Sequence, residues 1–360
     1  MIFVGDIASP TASCSQDLEK IFAAQPAIFN GQPLVCNFEG LVCDDISPET
    51  NTPVLYNHSS VLPVLQKVNT AVGALANNHT NDLPEYFAAT EQKLRQYQIA
   101  PVGAGRSKTA ALEPVSFFDD GKEVILFNAC WDFLLYHQSN PAKGVYVAEM
   151  DTLYLLEAIK RTKQEKPGAA ISVFLHWSLD METLPYPMYR QMSRAMIDAG
   201  ASAVVGAHSH CVQGGERYKD GYIVYGLGNF FLPHNTYANG QLSFPAFSKM
   251  EMAFEWNAST NEAKCHWFWY ENAEGKHQLT LKESSSFDNS ALLKEYTAFN
   301  QLPPQEYVGY FKQHRRKRFL IPVYKDYNAV FKNAVLTFLL KGRGNVARLL
   351  AKYKIIKWQT

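Results

Sequence analysis

Side chains of metal-ligand type stand at the ends of short apolar runs in this sequence. His208-Ser209-His210 is the densest local signal. In an extended segment, residues two apart point to the same side, so both imidazoles are able to face one ion. His176 closes an earlier apolar run, in Phe174-Leu175-His176-Trp177. Asp6 follows Ile2-Phe3-Val4-Gly5, and Glu39 follows Leu34–Cys36 within Asn37-Phe38-Glu39-Gly40. Taken singly, each carboxylate either caps the next segment or binds a metal. Ala76-Asn77-Asn78-His79-Thr80-Asn81-Asp82 offers an amide, an imidazole and a carboxylate after a further apolar run. Its bland alternative is an Asn-rich turn. A lone histidine is most often a satisfied core or surface group. Three at two strand ends, with two carboxylates available, read as a metal centre.

The combined set is Asp6, Glu39, Asn78, His176, His208 and His210. Carboxylate, amide and imidazole together suit Zn²⁺, Mn²⁺ or Fe better than Ca²⁺, which wants more oxygens, or Cu(I), which wants sulfur. The set suffices for one or two divalent ions. Two ions about 4 Å apart, sharing a carboxylate, would activate a water and clamp a phosphoryl oxygen. His79 is not needed as a ligand and is free to protonate a leaving oxygen, with Asp82 as its orienting partner. His58, His137, His234, His266, His277 and His314 lack comparable company, although His234 follows closely on Leu227-Gly228-Asn229-Phe230.

These residues need elements to hold them. Ile2–Val4, Leu34–Cys36, Ala71–Ala76, Val124–Phe127, Ile171–Leu175, Ala203–Gly206 and Ile223–Tyr225 are apolar runs suited to buried strands. Ser60–Val68, Pro84–Gln96, Asp151–Lys163 and Pro187–Ala199 have helical spacing, with Pro84 and Pro187 at first-turn positions. The alternation predicts an α/β fold, and polar residues recurring at strand ends are how such a sheet builds a site along one edge. Lys249–Trp256 and Cys265–Tyr270 then predict two strands joined by a polar turn. Beyond Asp288 the pattern is helical, broken at Pro303-Pro304 and Pro322.

Composition bounds the rest. The chain has 360 residues, 47% hydrophobic and 19% charged, which is globular rather than disordered or coiled-coil. Six scattered cysteines form no CxxC pair, so neither a zinc knot nor a disulfide scaffold is expected. No signal peptide and no transmembrane segment is legible, which reads as a cytoplasmic protein, peripheral to the membrane at most. The formal net charge of zero conceals two opposite halves. Residues 1–305 hold 21 Lys plus Arg against 32 Asp plus Glu; residues 306–360 hold 13 against 2. The basic tail suits a helical face packed on the acidic body, an anionic membrane surface, or docking on partner proteins. Nucleic acid is not favoured, because no recognised module precedes the tail.

Taken in order, Gly5-Asp6, Asn37-Phe38-Glu39, Ala76-Asn77-Asn78-His79 with Asp82, Gly103-Ala104-Gly105, His176-Trp177, Asp198-Ala199-Gly200-Ala201, Gly206-Ala207-His208-Ser209-His210 and Tyr225-Gly226-Leu227-Gly228-Asn229-Phe230 form a series. That series resembles the bacterial capsule-synthesis (CapA, poly-gamma-glutamate synthesis accessory) proteins of the calcineurin-like metallophosphoesterase superfamily. The likeness covers roughly residues 1–256. It implies a four-layer α/β/β/α sandwich, and the helical and charge patterns bound it: a CapA-like domain over 1–287, then a basic, mainly helical extension over 288–360. It implies Asp6, Glu39, Asn78, His176, His208 and His210 as ligands, with Glu39 bridging and His79 as the acid. It also implies a phosphorylated or otherwise anionic polymer or polysaccharide as substrate, and capsule-synthesis proteins as partners.

Two departures stand out. Superfamily phosphatases open with Asp-x-His, whereas the third position here is Ala8. The family's His-Trp is usually followed by Gly-x-Glu, whereas Ser178-Leu179-Asp180 stands here. His58, Asp180, Asn229 and His234 are secondary, substrate-side candidates. The leading expectation is a metal-dependent, phosphoesterase-like hydrolase in capsule or cell-surface polymer synthesis. The alternatives are a metal-dependent amide or peptide hydrolase on the same fold, and a non-catalytic scaffolding component.

Overall fold

The computed structural model describes all residues except 48–53, 133–143, 274, 317–322, 325 and 353–360, and no side chains at 344, 345 and 347–352. Lys317, Arg318, Lys325, Lys354 and Lys357 of the basic run therefore lie outside the described residues, as do the side chains of Arg348 and Lys352.

Ile2–Ile7 is buried along its whole length and sits inside an eight-stranded sheet. Across that sheet the order is Lys276–Ser286, Glu262–Ala273, Met250–Asn257, Ile2–Ile7, Leu34–Phe38, Thr70–Ala74 and Ala100–Val102. The short strand Asn229–Phe231 also pairs in parallel with Ile2–Ile7, setting Asn229 opposite Asp6. The second sheet has six strands, in the order Val212–Tyr218, Gly221–Leu227, Ala203–Ala207, Ala170–His176, Lys122–Cys130 and Val115–Asp119.

Period-two alternation makes each sheet two-faced. Phe3 points between the sheets, where its ring meets Phe174 edge-on at 5.8 Å and Phe254 at 6.1 Å. Ile2 and Val4 point the other way, into a core shared with Leu18, Phe22 and Leu65 of the flanking helices. In the second sheet, Val124, Leu126 and Phe174 join the inter-sheet core. Ile125, Phe127, Val173 and Leu175 face Leu155, Ile159 and Met192 of the helices outside. Helix, sheet, sheet, helix: the expected four-layer sandwich is present.

The helices start where their local chemistry dictates. Thr11 Oγ1 accepts the Cys14 amide at 3.2 Å to open Ala12–Ala23, and Asp151 Oδ1 accepts the Tyr154 amide at 3.1 Å to open Thr152–Glu165. Pro187 occupies the first turn of Pro187–Asp198. The helix expected over 84–96 is a 3₁₀ turn, Pro84–Tyr86, leading into Phe87–Gln96. Ala12–Ala23 and the strands Val115–Asp119, Val212–Tyr218 and Lys276–Ser286 were not legible in the sequence. The last is an edge strand whose polar run, Lys276-His277-Gln278-Leu279-Thr280-Leu281, holds only two aliphatic residues. It therefore makes a third antiparallel strand where two were expected.

After the last strand come the helices Ala291–Tyr296, Pro304–His314 and Val330–Lys352. Phe299, Tyr307, Phe311, Leu336 and Leu340 from this region are buried in the same cluster as Trp131, Trp177 and Tyr189. Tyr307 donates to the Pro185 carbonyl at 2.7 Å, and the Arg190 guanidinium lies 4.5 Å from its ring centre.

Phe3→Ala empties the centre of the inter-sheet core and should cost about 3–5 kcal/mol. Urea unfolding of the two proteins measures this directly, and a loss below about 1 kcal/mol would mean that Phe3 does not set the sheet–sheet packing.

Candidate metal centre

Parallel strands in both sheets end along one edge. Asp6 pairs with Asn37 in the first sheet, and His176 pairs with Ala207 and Cys130 in the second. The first sheet supplies the carboxylates. Asp6 and Glu39 are fully buried, and one amide group serves both. Asn37 Nδ2 donates to Asp6 Oδ1 and to Glu39 Oε2, each at 2.8 Å. Asp6 Oδ2 and Glu39 Oε1 are left with no hydrogen bond. Burial, followed by the neighbouring Asp6, pushes the Glu39 carboxyl well above its usual range. Glu251 behind them is raised in the same way, by burial and by Asp6. The backbone here is tied down as well: Asn57 donates to the Glu39 carbonyl and accepts the Ser9 amide, both at 2.9 Å.

The second sheet supplies the imidazoles. His176 Nε2 is 2.7 Å from Asn78 Oδ1 and 3.8 Å from Glu39 Oε1. Burial, reinforced by His208 and His210, holds its pKa well below the usual value, so it stays in the neutral, ligating form. The His208 ring lies 4.6 Å from that of His176 and 5.7 Å from that of His210, and its Nε2 is 2.9 Å from Asp180 Oδ1. His210 Nδ1 sits 2.7 Å from Asn229 Oδ1 and 3.4 Å from Asp6 Oδ2. Burial alone would lower the His210 pKa, but Asp6, Asp180 and Asn229 outweigh it and raise it.

Two ligand groups emerge, Asp6 with Glu39 and His176, and Asp180 with His208 and His210. Within each, one potential ligand atom per residue lies within 4.8 Å of the others. Buried polar atoms are normally paired. Here Asp6 Oδ2, Glu39 Oε1, His176 Nδ1 and His208 Nδ1 have no hydrogen bond among the described residues. A divalent cation satisfies that combination, and the residues fit one or two such ions.

The histidine pair reaches this arrangement by a different backbone from the extended one expected. The strand stops at Ala207, and His208 and His210 take left-handed conformations, with φ of 87° and 53°. Ser178 and Met181, on either side of Asp180, are left-handed too, at 84° and 57°. Non-glycine residues rarely occupy this region, and clusters of them mark sites whose geometry is enforced by their surroundings.

His79 stands at the rim. Its Nδ1 is 2.7 Å from Asp82 Oδ2, and its Nε2 is 3.8 Å from Glu39 Oε1. Asp82 also accepts the Leu55 amide at 3.0 Å, which fixes the carboxylate that orients the ring.

All six expected ligand residues, together with His79 and Asp82, thus converge. Asp180, expected on the substrate side, falls in a ligand group, and Asn229 lies against His210. His234 stacks on Tyr270 at 4.4 Å and is separated from His210 by Phe244, whose ring lies 5.2 Å from one and 4.9 Å from the other. Burial, with Lys249 nearby, lowers its pKa to about 4. His58 turns to Ser60 Oγ at 2.8 Å and Asp44 at 3.8 Å, apart from the ligand groups. Ala8 packs in an apolar cluster with Cys211, Leu232 and Tyr237. Asn37 and Asn57 are not among the site residues expected from the sequence. Asn37 carried a signal, since it sits two residues before Glu39 on the face that period two assigns to the site; Asn57 carried none.

The family model described as bacterial capsule synthesis protein PGA_cap matches residues 1–233. A capsule biosynthesis protein CapA from Bacillus anthracis is 41% identical over 171 residues, covering 43% of this chain and 38% of that protein. A PGA biosynthesis protein CapA from Bacillus subtilis is 30% identical over 183 residues, covering 49% and 46%. The matches span less than half the length of these relatives. Among solved structures, a putative 5'-nucleotidase from Staphylococcus aureus aligns with a TM-score of 0.45 at 14% identity, covering 82% of this chain and 57% of that one. That likeness is too distant to carry an argument.

Asn37→Ala removes the amide that holds both carboxylates. Metal affinity should fall about 10–100-fold, as for other residues that orient ligands. Competition with a chromogenic chelator measures it, and unchanged affinity would place Asn37 outside the centre.

Proposed function

Because the chain belongs to the bacterial capsule synthesis protein PGA_cap family, we propose that it is a metal-dependent, phosphoesterase-like hydrolase in the synthesis of capsule or another cell-surface polymer. Its substrate on this reading is a phosphorylated or otherwise anionic polymer or polysaccharide, and its partners are capsule-synthesis proteins. We assign residues 1–287 to the hydrolase body and 288–360 to the basic extension.

The observation that carries the reading is His79, oriented by Asp82 at 2.7 Å with its other nitrogen 3.8 Å from Glu39. A ligand cluster alone would serve recognition; an imidazole held beside it in one orientation supplies a proton. Divalent ions bound by the two groups would supply an activated water and an electrophilic clamp. The chain's own residues do the remaining work. Asp82 fixes the His79 tautomer, Asn37 and Asn57 hold the Glu39 carboxylate and backbone, and Asn78 orients His176. Nε2 of His79 is then the atom from which a leaving oxygen takes its proton. Ala8, in place of a superfamily histidine, favours one second reading: a scaffolding component whose site binds and does not turn over.

His79→Ala should retain its metal while losing about 10²–10⁴-fold in kcat on a chromogenic phosphodiester. His208→Ala should lose metal as well, read by elemental analysis of the purified proteins. Equal turnover in His79→Ala and the parent would remove the catalytic assignment. A parent that holds metal yet hydrolyses neither phosphoesters nor glutamyl amides would favour the scaffold.

A further inference from the structure

Among the described side chains of the helix Val330–Lys352, which are 330–343 and 346, only Leu336 and Leu340 are buried. Leu336 and Leu340, one turn apart, are each 1% exposed and belong to the cluster containing Trp131, Trp177 and Leu179. At about 100° per residue, Phe331 and Phe338 share the opposite side of the helix, with Val346 close to them. Phe331 is 81% exposed and Phe338 is 74% exposed. A helix packed on a globular body normally shows polar residues on its outer face. Here that rule is reversed. Of eight large hydrophobic side chains exposed among the described residues, five lie on this helix: Val330, Phe331, Phe338, Leu339 and Val346.

The charge around this strip has one sign. By the same helical spacing Lys332 falls on one flank, and Lys341, 3.9 Å from Asp132, on the other. Val330–Lys352 contains no Asp or Glu, and residues 306–360 hold 13 basic side chains against 2 acidic. The rest of the chain is acidic, with 32 acidic side chains against 21 basic over residues 1–305. An anionic surface would therefore attract this face and repel the remainder, setting a single orientation. Apolar side chains between flanking lysines, whose stems are long enough to keep their charges among head groups, are the pattern of a helix lying in a bilayer interface. A second copy suits it less, since two-fold pairing through this strip would bring lysines against lysines. No helix among the described residues is long and apolar enough to cross a membrane.

We propose that Val330–Lys352 docks the protein on an anionic lipid bilayer through the face formed by Phe331, Phe338, Leu339 and Val346, with the exposed Lys332 at its flank. Docking would be in the plane of the membrane. The buried face of the same helix shares a core with Leu179, next to Asp180, so the docked surface and the metal centre are joined through one packed layer.

Vesicle flotation tests this with the full chain. Vesicles of phosphatidylcholine alone are compared with phosphatidylcholine–phosphatidylglycerol mixtures, at low and high salt. The parent should float with the anionic vesicles, less so at high salt, and weakly with the neutral ones. Phe331→Ser/Phe338→Ser should weaken partitioning at least about tenfold with an unchanged melting temperature. Lys332→Glu, which leaves the apolar strip intact, should weaken binding to the anionic vesicles alone. Failure of the parent to float, or equal flotation of the double variant, would overturn the proposal. So would a lipid-free, concentration-dependent dimer abolished by the double variant, because the face would then be an interface between copies.

Discussion

Two carboxylates share one amide in the interior of this protein, and much else follows from that. Asp6 and Glu39 are both fully buried, and Asn37 Nδ2 bonds to each. Close like charges in a low-dielectric interior repel strongly, and burial together with Asp6 pushes the Glu39 carboxyl well above its usual range. Asp6 and Glu39 would hold a divalent ion, whose positive charge would offset this repulsion. The surroundings suit that outcome: burial holds the His176 pKa down, Asn78 Oδ1 lies 2.7 Å from its Nε2, and Asn229 Oδ1 lies 2.7 Å from His210 Nδ1. A protein selected only for stability would have little reason to retain such a cluster, since well-packed apolar residues usually serve better.

Much of this was legible in the sequence, for a definite reason. Buried parallel strands read as apolar runs, and in an α/β fold the residues that follow them gather on one edge. Asp6, Glu39, Asn78, His176, His208 and His210 could be collected from that rule before any coordinates. What escaped was set by tertiary context. Lys276–Ser286 is polar because it lies at a sheet edge. Asn57 works through its side-chain bonds to the backbone of Ser9 and Glu39, which no local pattern encodes. The 2.9 Å approach of Asp180 to His208 depends on a loop with two left-handed residues, which no local pattern encodes. The histidine pair converged on one side although its backbone is not extended.

The charge asymmetry also changes meaning in three dimensions. A basic tail and an acidic body suggest two independent parts. Yet Tyr307, Phe311, Leu336 and Leu340 are built into the same apolar layer that backs the second sheet. Lys341 reaches to 3.9 Å from Asp132, and the Arg316 amide donates to Glu182 Oε1 at 3.3 Å, two residues beyond Asp180. The extension is packed around the site's side of the molecule.

The two sheets each own part of the ligand set. Asp6 and Glu39 come from one, His176, His208 and His210 from the other, and the rings of Phe3, Phe174 and Phe254 lie between them. The aromatic filling therefore acts as a spacer gauge: its thickness sets how far Asp6 and Glu39 stand from the three histidines. A cation held by Asp6, Glu39 and His176 would draw on both sheets, like a rivet through two plates, and its grip would depend on a gap machined by hydrocarbon some distance away. Drift in this protein's interior would thus register first as altered metal selectivity, while the outline of the fold was still intact.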